Sequence, residues 1–184
     1  MAWRILVVAD THIPERAERV PPEMLELIDS MGPYDAVIHA GDLVSEEVLE
    51  WVRGLAPRAV VVRGNMDYLP LPLEARLELG GCVLGVYHGH RVYPRGDPVQ
   101  LASIARRMGV RVLVTGHTHY PFIRRHGGVA LLNPGSLTGV WGGGGGSMRP
   151  SLMVIDVDDG VLRARVYESR GGRIVEALSA ELRC

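Results

Sequence analysis

The sequence predicts a single α/β domain with a ligand-binding crevice at one end of its strands. Three observations carry that prediction. Short β-branched and aliphatic runs alternate with amphipathic helical segments, five of the runs end in Asp, Asn or His, and no repeat or linker divides the 184 residues. A chain of this length, 47% hydrophobic, buries a real core.

The first run, Ile5 to Ala9, reads as a buried strand that stops on Asp10 and His12. On extended backbone residues i and i+2 point the same way, so the carboxylate and the imidazole are expected to face one point. Pro21 to Met31 carries Met24, Leu25, Leu27, Ile28 and Met31 at helical spacing and is closed by Gly32. Ala36 to Ala40 is a second strand, ending at Gly41-Asp42, with His39 as a buried residue supporting the site. Ser45 caps the next helix, whose first turn holds Glu46 and Glu47 and whose buried face is Val48, Leu49, Val52 and Leu55.

A third strand, Ala59 to Arg63, leads to Gly64-Asn65-Met66-Asp67. Leu73 to Leu79 and Cys82 to Tyr87 flank Gly80-Gly81 as a two-residue hairpin, and the second arm runs into His88-Gly89-His90. Asp97-Pro98-Val99-Gln100 has the form of a capping box, followed by Leu101, Ile104, Ala105 and Met108. Arg111 to Thr115 is a strand ending at Gly116-His117-Thr118-His119. Phe122 to Arg125 and Val129 to Leu132 flank Gly127-Gly128 and end at Asn133-Pro134-Gly135-Ser136. Gly142 to Gly146 reads as a flexible surface loop, with a flap beside the site as the sharper alternative. Leu152 to Val157 and Leu162 to Tyr167 form a last hairpin.

Composition narrows the function classes. The formal net charge of −1 leaves no clear nucleic-acid surface. No apolar run approaches the length of a membrane span, so no membrane partner is expected. Cys82 and Cys184 form no CxxC and indicate no disulfide framework, so a reducing compartment, the cytoplasm, is expected. All basic residues are arginine, and Gln100, Asn65 and Asn133 are the only amides; the amide depletion points to a thermophile, although the lysine enrichment usual there is missing and GC-rich codon bias explains the arginine as well.

The series Asp10-x-His12, Gly41-Asp42, Gly64-Asn65, His88-Gly89 and Gly116-His117-x-His119 resembles the calcineurin-like metallophosphoesterase superfamily. The short chain with Asn133 to Ser136 resembles its small prokaryotic phosphodiesterase branch. The resemblance implies a four-layer αββα sandwich of two mixed sheets flanked by helices. It also implies two divalent metal ions, one held by Asp10, His12, Asp42 and His119, the other by Asp42, Asn65, His88 and His117, with Asp42 bridging. Manganese is the first candidate, with iron, zinc, cobalt and nickel as alternatives. The implied reaction is hydrolysis of a small phosphodiester by in-line attack of a metal-bridging hydroxide.

One position departs from the pattern. Many superfamily members carry histidine after the motif asparagine as the acid that protonates the leaving group, but here it is Met66. That removes a contribution of typically about 10²–10⁴ in rate. His90, two residues after His88, is the candidate substitute, with a structural role as the alternative. Asp42, Asn65 and His90 are therefore the expected catalytic residues. Eukaryotic relatives of this branch include a protein-binding scaffold of a membrane-trafficking coat, so a non-catalytic scaffold is the alternative function and a nuclease the third. A homo-oligomer is left open.

Overall fold

Residues 1–184 are all described by the computed structural model. Its elements are β1 (Trp3–Val8), α1 (Pro22–Met31), β2 (Ala36–His39), α2 (Glu46–Arg53), β3 (Arg58–Val61), β4 (Glu74–Leu79), β5 (Cys82–Tyr87), α3 (Pro98–Arg107), β6 (Val112–Val114), β7 (Pro121–His126), β8 (Val129–Pro134), β9 (Ser151–Asp158), β10 (Val161–Arg170) and β11 (Arg173–Arg183). They form two mixed sheets, ordered β11-β10-β9-β1-β2-β3 and β4-β5-β6-β8-β7.

The alternation along single strands explains the layers. Ile5 and Val7 of β1 enter the apolar cluster between the sheets, while Leu6 and Val8 pack with Met24, Ile28, Val48 and Val52 of α1 and α2. Val112 and Val114 of β6 also enter the inter-sheet cluster, and Leu113 faces Leu101 and Ala105 of α3. Both faces of the central strands are buried, which is why they read as continuous apolar runs. The result is the expected four-layer αββα sandwich, with two helices on one outer face and one on the other.

The parallel trio β1-β2-β3 and the parallel trio β5-β6-β8 bring their carboxyl ends to one end of the sandwich. The antiparallel hairpins lie at the flanks. Gly80 and Gly81, with φ of 60° and 83°, make the tight turn expected between β4 and β5. Asp97 caps α3 by accepting from the Gln100 amide at 2.9 Å, but the Gln100 side chain does not close the box. It brackets Tyr93 instead, donating to the Tyr93 carbonyl (2.6 Å) and accepting from its amide (3.4 Å).

Two expectations are corrected. Cys82 and Cys184 are disulfide-bonded, their Cα atoms 5.2 Å apart across a sequence separation of 102. Topology returns the chain after β11 to the start of β5, and spacing along the chain carries no trace of that return. The cysteines therefore lend no support to a reducing compartment. β11, which has no counterpart in the sequence reading, is a largely exposed edge strand beyond a Gly171-Gly172 turn, and its pairing with β10 shifts register at Val166/Tyr167. Charged residues along such an edge hide the alternation and also discourage edge-to-edge association. No helix is long and apolar enough to cross a membrane.

Candidate metal centre

Asp10, His12, Asp42, Asn65, His88, His117 and His119 all follow strand carboxyl ends, and the fold brings them together. Potential donor atoms of Asp10, His12 and His119 lie within 4.8 Å of one another, as do those of Asp42, His88 and His117. The two groups adjoin: His12 Nε2 is 3.5 Å and His88 Nε2 3.3 Å from Asp42 Oδ2. Asn65 Oδ1 is 3.2 Å from His88 Nε2.

The way the side chains converge differs from the expectation. Asp10 and His12 lie beyond the end of β1 and are not extended; their φ values are 50° and 48°. Asp42, His117 and His119 are also left-handed, at 60°, 69° and 57°. For non-glycine residues this conformation costs roughly 1–2 kcal/mol each. Strain of this kind persists only where the surroundings over-determine it, and it concentrates at functional sites.

Here the surroundings are main-chain and side-chain hydrogen bonds. The Asp10 and His12 amides donate to the carbonyls of Gly41 (2.9 Å) and Asp42 (3.0 Å), joining the first two loops. Ser136 Oγ donates to the Asp10 carbonyl at 2.7 Å, and the His117 amide donates to Asp10 Oδ2 at 2.9 Å. His39 accepts from the Gly41 amide and pairs with Thr11 Oγ1 at 2.8 Å, the buried supporting role expected of it. Glycine is required beside the candidate ligands because they sit against its main chain. A Cβ on Gly64 would lie 2.1 Å from Asp42 Oδ1, and one on Gly41 2.6 Å from His88 Nδ1.

Asp67 escaped the sequence reading. It is buried, and its carboxylate accepts the amides of Asp42, Val44 and Gly64, each at 2.8 Å. A single carboxylate thus ties the Asp42 loop to the Asn65 loop. The available signal was an acidic residue two positions after a candidate ligand, which looks like any loop aspartate. Asn133 performs a related task, donating from Nδ2 to the Gly116 carbonyl at 2.9 Å.

The electrostatics fit cation binding. Asp10 Oδ1 is buried without a hydrogen-bond partner, 3.5, 3.8 and 3.9 Å from the Nε2 atoms of His119, His12 and His88. Donors about 2.1 Å from a common ion stand at such mutual separations. Burial pushes Asp10 up to about 8, and pushes His12 and His117 down to about 3 and His119 down to about 4. His88 is the exception: burial opposes its charge, but the Asp42 hydrogen bond and the Asp10 charge outweigh it and raise the pKa to about 9. Asp42 is held below its usual range, despite burial, by His88 and the Met66 amide. The carbonyls of Ala40 and Val140 accept from Nδ1 of His88 and His119 at 2.7 Å each, which leaves Nε2 of each facing the cluster.

His90 lies beside this cluster, its ring centroid 5.6 Å from that of His88 and 6.5 Å from that of His117. Its Nδ1 is buried and unpartnered. Gly142 to Gly146 is not a free surface loop: Gly142 and Gly146 pack on His119.

Comparison with known proteins agrees with this geometry. The description of the calcineurin-like phosphoesterase superfamily domain matches residues 3–160. A probable metallophosphoesterase of Methanothermobacter thermautotrophicus is 39% identical over 89% of this chain and 91% of its own. One from Methanocaldococcus jannaschii is 45% identical over 72% of this chain and 67% of its own. Among solved structures, Vps29 of Cryptosporidium parvum superimposes with a TM-score of 0.92 at 27% identity, covering 100% of this chain and 99% of that one. Vps29 of Entamoeba histolytica, complexed with Zn²⁺, gives 0.84 at 30% identity, covering 98% of each. With the domain match over residues 3–160 and these relatives in agreement, the chain belongs to the calcineurin-like phosphoesterase superfamily.

Proposed function

We propose that the protein is a dinuclear-metal-dependent phosphodiesterase. The observation that carries this reading is the pair of adjoining donor clusters at the carboxyl ends of both sheets. Asp10, His12, Asp42 and His119 would hold one divalent ion and Asp42, Asn65, His88 and His117 the other, with Asp42 shared. The imidazole-rich set favours first-row metals, manganese first, then iron, zinc, cobalt or nickel. Such a pair, when bound, supplies Lewis acidity and an activated water for displacement at phosphorus.

The chain's own residues prepare that chemistry. The Met66 amide holds Asp42 Oδ1 at 2.8 Å, so Oδ2 already faces His12 and His88. The carbonyl partners of His88 and His119 set the ring orientations in advance. The thioether of Met66 has no proton for a leaving oxygen. His90, with its unpartnered buried Nδ1 beside His88 and His117, is assigned that proton transfer. The preference for diesters rests on the resemblance of the short chain, with Asn133 to Ser136, to the small phosphodiesterase branch.

A protein-binding scaffold is the second reading, favoured by the full-length likeness to Vps29, one member of which was solved with a cyclic peptide. Turnover separates the two. The purified protein should hydrolyse bis(p-nitrophenyl) phosphate, lose the activity in EDTA and regain it with manganese, and Asp42→Ala should lose bound metal and activity together. Absence of hydrolysis with every divalent metal would put the scaffold first.

A further inference from the structure

The glycine-rich loop is fastened to the site from three directions. His119 Nδ1 donates to the Val140 carbonyl at 2.7 Å, and a Cβ on Gly142 would lie 2.9 Å from the His119 ring, so only glycine permits this approach. Arg16, from the loop after His12, donates to the Trp141 carbonyl at 2.9 Å. Arg95, from the loop after His90, donates to the Gly142 carbonyl at 2.5 Å. Two ligand-bearing loops thus grip consecutive residues of a third segment.

What this arrangement presents to solvent is specific. Trp141 stands between the two residues that touch His119, yet it is 56% exposed. Tyr120, next to His119, is 52% exposed, and its ring lies 3.6 Å from where a Gly145 Cβ would sit. Two open aromatic side chains therefore flank the loop that touches His119. Neither Arg16 nor Arg95 belongs to any ion pair of the protein. Each guanidinium has five N–H donors and uses one on the loop. Uncompensated cations at the mouth of a cleft raise the local concentration of an anionic ligand.

We propose that Trp141, on the loop held by Arg16 and Arg95, and Tyr120, beside His119, form a base-stacking subsite that makes nucleoside phosphodiesters the preferred substrate class. The inference rests on the phosphodiesterase reading and deepens it. A nucleotide unites the two features this rim would recognise, a flat π-face and a phosphate anion. Stacking of a base on an aromatic side chain is worth about tenfold or more in affinity and is tolerant of base identity. In this arrangement the arginines position the loop and add uncompensated positive charge beside it.

The test compares thymidine 5′-(p-nitrophenyl) phosphate with methyl p-nitrophenyl phosphate, which share a leaving group and differ in the nucleoside. The ratio of their kcat/KM values should exceed one and fall about tenfold in Trp141→Ala and in Arg95→Met. A readout independent of turnover is the fluorescence of a protein carrying Trp3→Phe and Trp51→Phe, which keeps its indole at position 141. Thymidine 5′-monophosphate should quench it, and ribose 5-phosphate, which lacks the base, should not. A ratio unaltered by Trp141→Ala, or equal quenching by the two phosphates, overturns the subsite. If neither ester is cleaved, the phosphodiesterase reading fails, while base-dependent quenching still decides whether this rim binds a nucleoside.

Discussion

Asp67→Ala should damage the site without touching a candidate ligand. The carboxylate accepts three amides at 2.8 Å, the buried ones of Asp42 and Gly64 on Oδ2 and the part-buried one of Val44 on Oδ1. Each buried donor left without an acceptor costs about 1–3 kcal/mol, so losing the Asp42 and Gly64 bonds alone destabilises the fold by at least about 2 kcal/mol. For a domain of this size that corresponds to a fall in Tm of roughly 4–8 °C. The cost falls on the loops that carry Asp42 and Asn65, and removal of an outer partner of this kind lowers metal affinity about 10–100-fold. Asp67→Asn is the graded version. One oxygen can still take the Asp42 and Gly64 amides, while the amide NH₂ opposes the Val44 donor, at a cost of roughly 1–3 kcal/mol. The assays are thermal unfolding of metal-free protein and manganese affinity by titration calorimetry. Equal metal affinity in native protein and Asp67→Ala would refute the argument that Asp67 sets the ligand loops, whatever happens to Tm.

Three further outcomes are expected. Reducing the disulfide, or replacing it by Cys82→Ala with Cys184→Ala, should lower Tm by roughly 10–20 °C, because a crosslink closing 102 residues is worth about 4.7 kcal/mol on a chain-entropy account. Hydrolysis should survive, since Cys82 begins β5 and His88 follows its end, about 20 Å away at about 3.3 Å per residue; an unchanged Tm on reduction would contradict the crosslink. Metal-free protein should lose stability as pH rises from about 6.5 to 9, followed by thermal unfolding in EDTA. The sign follows from the raised folded-state values: the His88 contribution is complete below its unfolded pKa of 6.5 and is lost through about 9, and that of Asp10 is lost through about 8. A stability that climbs across this window would contradict it. Finally, His90→Ala should slow alkyl diesters by about 10²–10⁴ and activated aryl diesters far less, steepening the plot of log kcat/KM against leaving-group pKa. An unaltered slope would remove His90 as the proton source, and Met66→His should make the slope shallower.

Much of this protein follows from local pattern. The central strands are buried on both faces, so Ile5 to Ala9 and Val112 to Val114 announce themselves as uninterrupted apolar runs, and the prolines and caps of α1 and α3 mark helix ends through short-range chemistry. The ligand types are legible for the same reason, since each sits at the end of such a run. What tertiary structure alone decides is anything set by pairing across the chain. The left-handed backbone at Asp10, His12, Asp42, His117 and His119 is imposed by contacts with other loops, such as Asp10 to Gly41 and His117 to Asp10; Asp and His tolerate that conformation better than most residues, but local sequence does not demand it. β11 was hidden because an edge strand half in water need not alternate cleanly. The Cys82–Cys184 bond depends on a chain return that sequence separation does not encode. Asp67 acquires its role only when the Asp42 and Asn65 loops, at the ends of neighbouring parallel strands β2 and β3, are drawn close enough for one buried carboxylate to satisfy amides from both.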